Sequence, residues 1–96
     1  MYATMRRYEG VTNPSEAARR VREGFLPIIS KIPGLVAYYW VDGGGGVMIS
    51  TSVFQDRSSA EESNKKAAGW VRENLASMFP NSPQITAGEV VAHKAT

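Results

Sequence analysis

The groups able to do chemistry in this chain are few. It has one histidine, His93, and no cysteine among 96 residues. Cysteine nucleophiles, disulfides, iron–sulfur clusters and cysteine-ligated zinc are excluded. A multi-histidine metal site within one subunit is excluded as well, and two-fold symmetry would supply only a second copy of His93. Proton transfer and anion binding therefore rest on Arg, Glu, Tyr, Ser or His93, with neither a metal nor a cofactor expected. The run Asp42-Gly43-Gly44-Gly45-Gly46 matches neither nucleotide-binding glycine fingerprint and reads as a hairpin loop. Arg19, Arg20 and Arg22 alternate with Glu16 and Glu23, the pattern of a solvated helix face.

Stepping outward from these residues, the composition bounds the class. Eleven Lys and Arg against nine Asp and Glu give a net charge of +2, too weak for a nucleic-acid footprint. A chain that is 43% apolar and 21% charged can fold, and 96 residues make one domain, 1–96, with a thin core. No apolar run approaches the roughly 20 residues of a membrane span. Met1 to Arg7 lacks the apolar stretch of a signal peptide, so a soluble cytoplasmic protein is the expectation.

Six elements must position the candidate residues. Tyr2 to Glu9 reads as a strand. Asn13-Pro14-Ser15-Glu16 starts a helix, with Asn13 as N-cap and Pro14 at the first helical position. Its apolar stripe is Ala17, Val21, Phe25, Ile28 and Ile32, and Pro27 predicts a kink or break near Gly24. Leu35 to Val41 and Val47 to Phe54 form a hairpin. Asp56 or Ser58 caps a second helix with the stripe Ala60, Asn64, Ala67, Val71, Leu75 and Met78; Glu61 with Lys65, and Glu62 with Lys66, are spaced as ion pairs. Pro80 to Pro83 stops it, and Ile85 to His93 is the last strand. This βαββαβ order gives a ferredoxin-like α+β sandwich: four antiparallel strands with two helices on one face.

Hairpin parity sorts the strand residues into two sets. With Val41 opposite Val47, one set is Leu35, Ala37, Tyr39, Val41, Val47, Ile49, Thr51 and Val53. That set suits the helix-covered core. The other is Val36, Tyr38, Trp40, Met48, Ser50, Ser52 and Phe54, joined by Tyr2, Thr4, Arg6 and Tyr8 and by Glu89 and His93. It is assigned to the bare face. An aromatic face of that size calls for a cover, either a second subunit or a small apolar or aromatic ligand, or both around one cavity.

Several stretches then resemble a known family. Ile32-Pro33-Gly34-Leu35-Val36-Ala37-Tyr38-Tyr39, Val53-Phe54-Gln55-Asp56-Arg57, Glu23-Gly24-Phe25-Leu26-Pro27 and Ala87-Gly88-Glu89-Val90 are similar to small antibiotic-biosynthesis-monooxygenase-like proteins of the dimeric α/β-barrel superfamily. The resemblance implies a homodimer closing as an α/β barrel. It also implies cofactor-free oxidation of an electron-rich aromatic substrate, by deprotonation and reaction of the carbanion with oxygen. In such a site Tyr38, Trp40 and Phe54 would form walls, Ser50 or Ser52 would orient a phenol, and Arg6 would hold an enolate or phenolate. Glu89 or His93 would act as base. The alternative is a non-enzymatic ligand-binding or structural dimer whose barrel is filled by these same aromatics.

Three other readings are set aside on residue types. Haem degradation in this superfamily implies an Asn on the first strand and a His on a helix, and neither is present. Asn64 reads as a buried amide bonded to backbone or to Ser63, and Trp70 as packing at a helix edge. RNA recognition through this element order needs a basic and aromatic third strand, whereas Val47 to Phe54 has no basic residue and one aromatic.

Overall fold

A computed structural model describes residues 1–95. The elements are β1 (Tyr2–Tyr8), α1 (Pro14–Arg20), a π-helical segment (Val21–Phe25), α2 (Leu26–Ile29), β2 (Leu35–Gly44), β3 (Val47–Phe54), α3 (Arg57–Asn74) and β4 (Gln84–Glu89). The strands form one antiparallel sheet in the order β2-β3-β1-β4. This is the ferredoxin-like α+β sandwich, with the α1–α2 helical stretch and α3 packed on the same side.

Local chemistry accounts for the helix ends. The Asn13 side chain accepts from the Glu16 N–H, with Pro14 at the first helical position where no donor is lost. Asp56 accepts from the Ser59 N–H at 2.8 Å and begins α3. Glu62 pairs with Lys66 as its spacing implies, but Glu61 pairs with Arg57 one turn before it instead of Lys65.

Pro27 has its effect upstream. Its ring nitrogen has no hydrogen to donate, and a regular helix would require one for the Glu23 carbonyl. The backbone widens there, and the Leu26 N–H bonds to the Val21 carbonyl five residues back. The wide turn absorbs one extra residue. Burial therefore follows Ala17, Val21, Phe25 and Ile29, with the predicted Ile28 only half-buried.

The hairpin departs from the expected register by two residues. Val41 opposes Ile49, not Val47. β2 runs on to Gly44, which pairs with Val47, and an irregularity between Asp42 and Gly44 takes up a residue. Gly45 and Gly46 make the turn at φ +60° and +80°, the pair of left-handed residues a tight hairpin needs. A shift of two preserves parity, so from Ala37 to Asp42 the two residue sets stay intact; a second irregularity between Leu35 and Ala37 moves Leu35 opposite Phe54 on the helix side and leaves Val36 exposed.

What changes is the face each set occupies. The helices cover Thr4, Arg6, Tyr8, Met48, Ser50, Ser52 and Phe54, all buried. The set assigned to the core, including Tyr39 and Val41, lies on the bare face with Met5. Tyr39 is 59% exposed there. The expected faces are thus exchanged. Each face has enough apolar surface to need a cover, so apolarity could not choose between them. Arg6, Thr4, Ser50 and Ser52 tilted the choice the wrong way.

Candidate functional site

The candidate residues converge between the sheet and the helices, not on the sheet's open side. Across the strands, Trp40 opposes Ser50, Ser50 opposes Arg6 and Arg6 opposes Ile85. β1 is central in the sheet and carries Arg6 under α3. β4 is an edge strand exposed along its length, and Ile85 on it is 53% exposed although it faces the helix side. The gap between α3 and the β1–β4 edge is an open cleft of about 420 Å³, with Arg6, Tyr8 and Ile85 from the sheet and Val71 and Arg72 from α3 in its lining. Phe79 and the Pro80–Pro83 loop close one end. Two bonds to the β1–α1 connection hold that end in place: the Thr12 N–H to the Met78 carbonyl, and the Asn81 amide to the Glu9 carbonyl at 3.1 Å.

Arg6 is 6% exposed, and its Nη2 donates to the Asn64 main-chain carbonyl at 2.8 Å. Its Nε is buried with no partner. Among the described residues no carboxylate pairs with it. A buried guanidinium without an anion is costly, because the charge has left water with little in return.

Around it lie phenols that stay protonated. Burial pushes the Tyr8 hydroxyl above its ordinary range, while the neighbouring Arg6 pulls it back in part. Burial raises Tyr38 to about 12, against a hydrogen bond to Ser50 at 3.0 Å. Both are donors at neutral pH. Tyr8, Trp40 and Phe79 form an aromatic cluster with ring centroids 4.7–6.0 Å apart. Trp40 Nε1 is a second buried donor with no partner. A separate small recess of about 10 Å³ is lined by Tyr38, Trp40 and Ser50 and shares Tyr8 and Val71 with the cleft lining.

Asn64 reaches across to the sheet: its amide donates to Thr4 Oγ1 at 3.4 Å, a partner different from the expected backbone or Ser63. Trp70 packs against Phe25 at 5.5 Å and against Gly24, where an added Cβ would meet its ring at 2.8 Å.

The remaining candidates stand apart. Phe54 and Glu89 both oppose Tyr2, four residues along β1 from Arg6 and so about 13 Å away. Phe54 is sealed in the core and Glu89 is exposed. Ser52 is buried in the next row, opposite Thr4 and Tyr38. β4 ends at Glu89, so His93 lies past the sheet, exposed. The structure brings neither proposed base to Arg6. Sequence reasoning missed Tyr8 as a site residue, together with Val71, Arg72, Phe79 and the Pro80–Pro83 loop. The parity that grouped Tyr8 with Arg6 was the available signal.

No family model and no curated protein matches the chain. Solved structures do. A protein of unknown function from Nitrosomonas europaea, NE2512, superposes with a TM-score of 0.79 at 21% identity, covering 99% of this chain and 93% of that one. The ActVA-Orf6 monooxygenase of Streptomyces coelicolor, solved with nanaomycin D, has a TM-score of 0.77 at 11% identity over 99% and 91%. SnoaB, a cofactor-independent oxygenase from Streptomyces nogalater, has a TM-score of 0.73 at 10% identity over 96% and 94%. The fold of this chain is that of the antibiotic-biosynthesis-monooxygenase-like proteins, as the sequence resemblance implied.

Proposed function

We propose that this protein binds a small aromatic molecule bearing an ionisable oxygen, in the cleft between α3 and the β1–β4 edge. We further propose that it oxidises that molecule with dioxygen and no cofactor. The observation that carries the reading is Arg6: a guanidinium 6% exposed, unpaired at Nε, on an aromatic-lined cleft open to solvent. A phenolate or enolate oxygen there would supply the missing partner, and the charge-assisted bond is of the strong kind. Among the described residues no carboxylate or imidazole is in the cleft lining. Ionisation therefore comes from the substrate itself, because a cation at contact distance favours the anionic form. The phenol proton leaves to water in the open cleft, and the electron-rich anion reacts with dioxygen at a ring carbon. One oxygen atom becomes the new quinone carbonyl and the other leaves as water with the ring hydrogen and a proton from solvent, so dioxygen takes all four electrons. Tyr8, in the cleft lining, remains protonated and can donate to developing oxygen charge.

The active unit in this proposal is a cytoplasmic homodimer joined through the bare sheet face, where Met5, Tyr39 and Val41 are exposed together. A second reading, binding without catalysis, is favoured by the same lack of a general base in the lining. One experiment separates them. Polyphenols are titrated against Trp fluorescence and then incubated in an oxygen electrode cell without cofactor. Quenching with oxygen uptake supports the oxygenase, quenching alone supports the binder, and neither signal with any of a panel of polyphenols refutes the proposal.

A further inference from the structure

Among the described residues the cleft lining contains two arginines, Arg6 at its floor and Arg72 on α3, and no acidic residue. Neither arginine forms an ion pair among the described residues; Arg22, outside the cleft lining, also forms none, whereas Arg7, Arg19, Arg20 and Arg57 all do. The two are placed at different depths. Arg6 is buried and tied to the Asn64 carbonyl. Arg72 is exposed, and its Nη2 lies 3.9 Å from where a Cβ on Gly69 would stand. Asn64 and Gly69 are five residues apart on α3, so the two guanidinium levels differ by about 7.5 Å along the helix axis. Between them the wall is apolar, with Val71, Tyr8 and Phe79.

We infer that the cleft selects an aromatic acid with two anionic ends, a phenolate or enolate on Arg6 and a carboxylate on Arg72. This rests on the proposed binding of an aromatic molecule in the cleft and adds the second charge. A planar guanidinium fork matches a carboxylate in two parallel hydrogen bonds. Arg72 is at the solvent-exposed end, where a positive field without counter-charge also speeds capture of an anion.

The test uses 6-hydroxy-2-naphthoic acid and its neutral isostere, 6-hydroxy-2-naphthamide, titrated calorimetrically against the full chain at low salt. The wild type should bind the acid about tenfold tighter than the amide, and the preference should shrink as salt rises. Arg72→Gln, a change on an exposed helix surface, should bring the acid down to the affinity of the amide and leave the amide unchanged. Lys65→Gln, the same charge loss elsewhere on α3, should preserve the preference. Equal wild-type binding of acid and amide overturns the inference while the aromatic site stands. A preference that survives Arg72→Gln, or falls equally with Lys65→Gln, also overturns it. If neither compound binds, the aromatic site and this inference fall together.

Discussion

Arg6→Met is the perturbation that best separates a binding role from a structural one. Methionine keeps a long unbranched chain and removes the charge. Two terms oppose each other in the free protein. Desolvating an unpaired cation costs several kcal/mol, which the substitution recovers. The open cleft lets water reach part of the site, so about 4 kcal/mol is a reasonable size for this term. The substitution gives up the bond from Nη2 to the Asn64 carbonyl, a charge-assisted bond of about 1.5–3 kcal/mol. That carbonyl belongs to the interior of α3 and keeps its helical partner, so no buried acceptor is orphaned. The balance predicts a variant more stable by about 1–2.5 kcal/mol, a rise in Tm of about 4–20 °C for a domain of this size. Circular dichroism melts at one fixed chain concentration measure it, since self-association would otherwise move Tm. The same variant should bind phenolic ligands at least tenfold more weakly. Greater stability with weaker binding is the mark of a residue kept for function at a cost to the fold. If Arg6→Met lost 1 kcal/mol or more and still bound ligand normally, Arg6 would be a structural cation and the reasoning would fail.

Other expectations follow from single features. Gly24→Ala should destabilise by about 1–2 kcal/mol in urea unfolding, because the 2.8 Å approach of its Cβ to the Trp70 ring outweighs the helix propensity gained. A neutral or stabilising result would show that Trp70 moves freely. Tyr38 should stay silent near pH 10 in an ultraviolet titration and ionise only near 12. The sign is fixed by its raised folded value: its contribution to stability is complete below pH 10, where the unfolded chain begins to ionise, and is lost as the pH climbs towards 12. Light scattering should give twice the 10.5 kDa of one chain, and Tyr39→Lys with Val41→Glu on the bare face should return the single-chain mass. A wild-type monomer at micromolar concentration would sink the proposed interface.

Much of the architecture is legible from local chemistry. Asn13 and Asp56 are caps because a side-chain oxygen there can satisfy a helix N–H that has no other partner. Pro27 announces an irregularity near Gly24 because it lacks a donor, although nothing local says that the helix will widen rather than break. The strand sets are legible through parity, which survives the two-residue error in hairpin register but fails at Leu35, where an irregularity before Ala37 adds a residue. The site is legible only in part. Parity grouped Arg6 with Tyr8, Tyr38, Trp40 and Ser50, and these do meet. Phe54 shares that parity yet sits about 13 Å along the sheet, and Glu89 and His93 fail for similar reasons of distance.

The amino-acid order by itself determined the element sequence, the caps, the turn glycines, the absence of thiol chemistry and the partition of strand residues into two faces. Each of these depends on groups a few residues apart or on the two-residue repeat of a strand. The tertiary structure decided which face the helices cover, and with it that Arg6 is buried beneath α3, bonded to a residue 58 positions away, beside a cleft left open by the uncovered β4 edge. Both faces needed a cover, so hydrophobicity was evenly matched between them. The phase of the pleat relative to the helix layer is set by the packing of the whole sheet, and no local pattern encodes it.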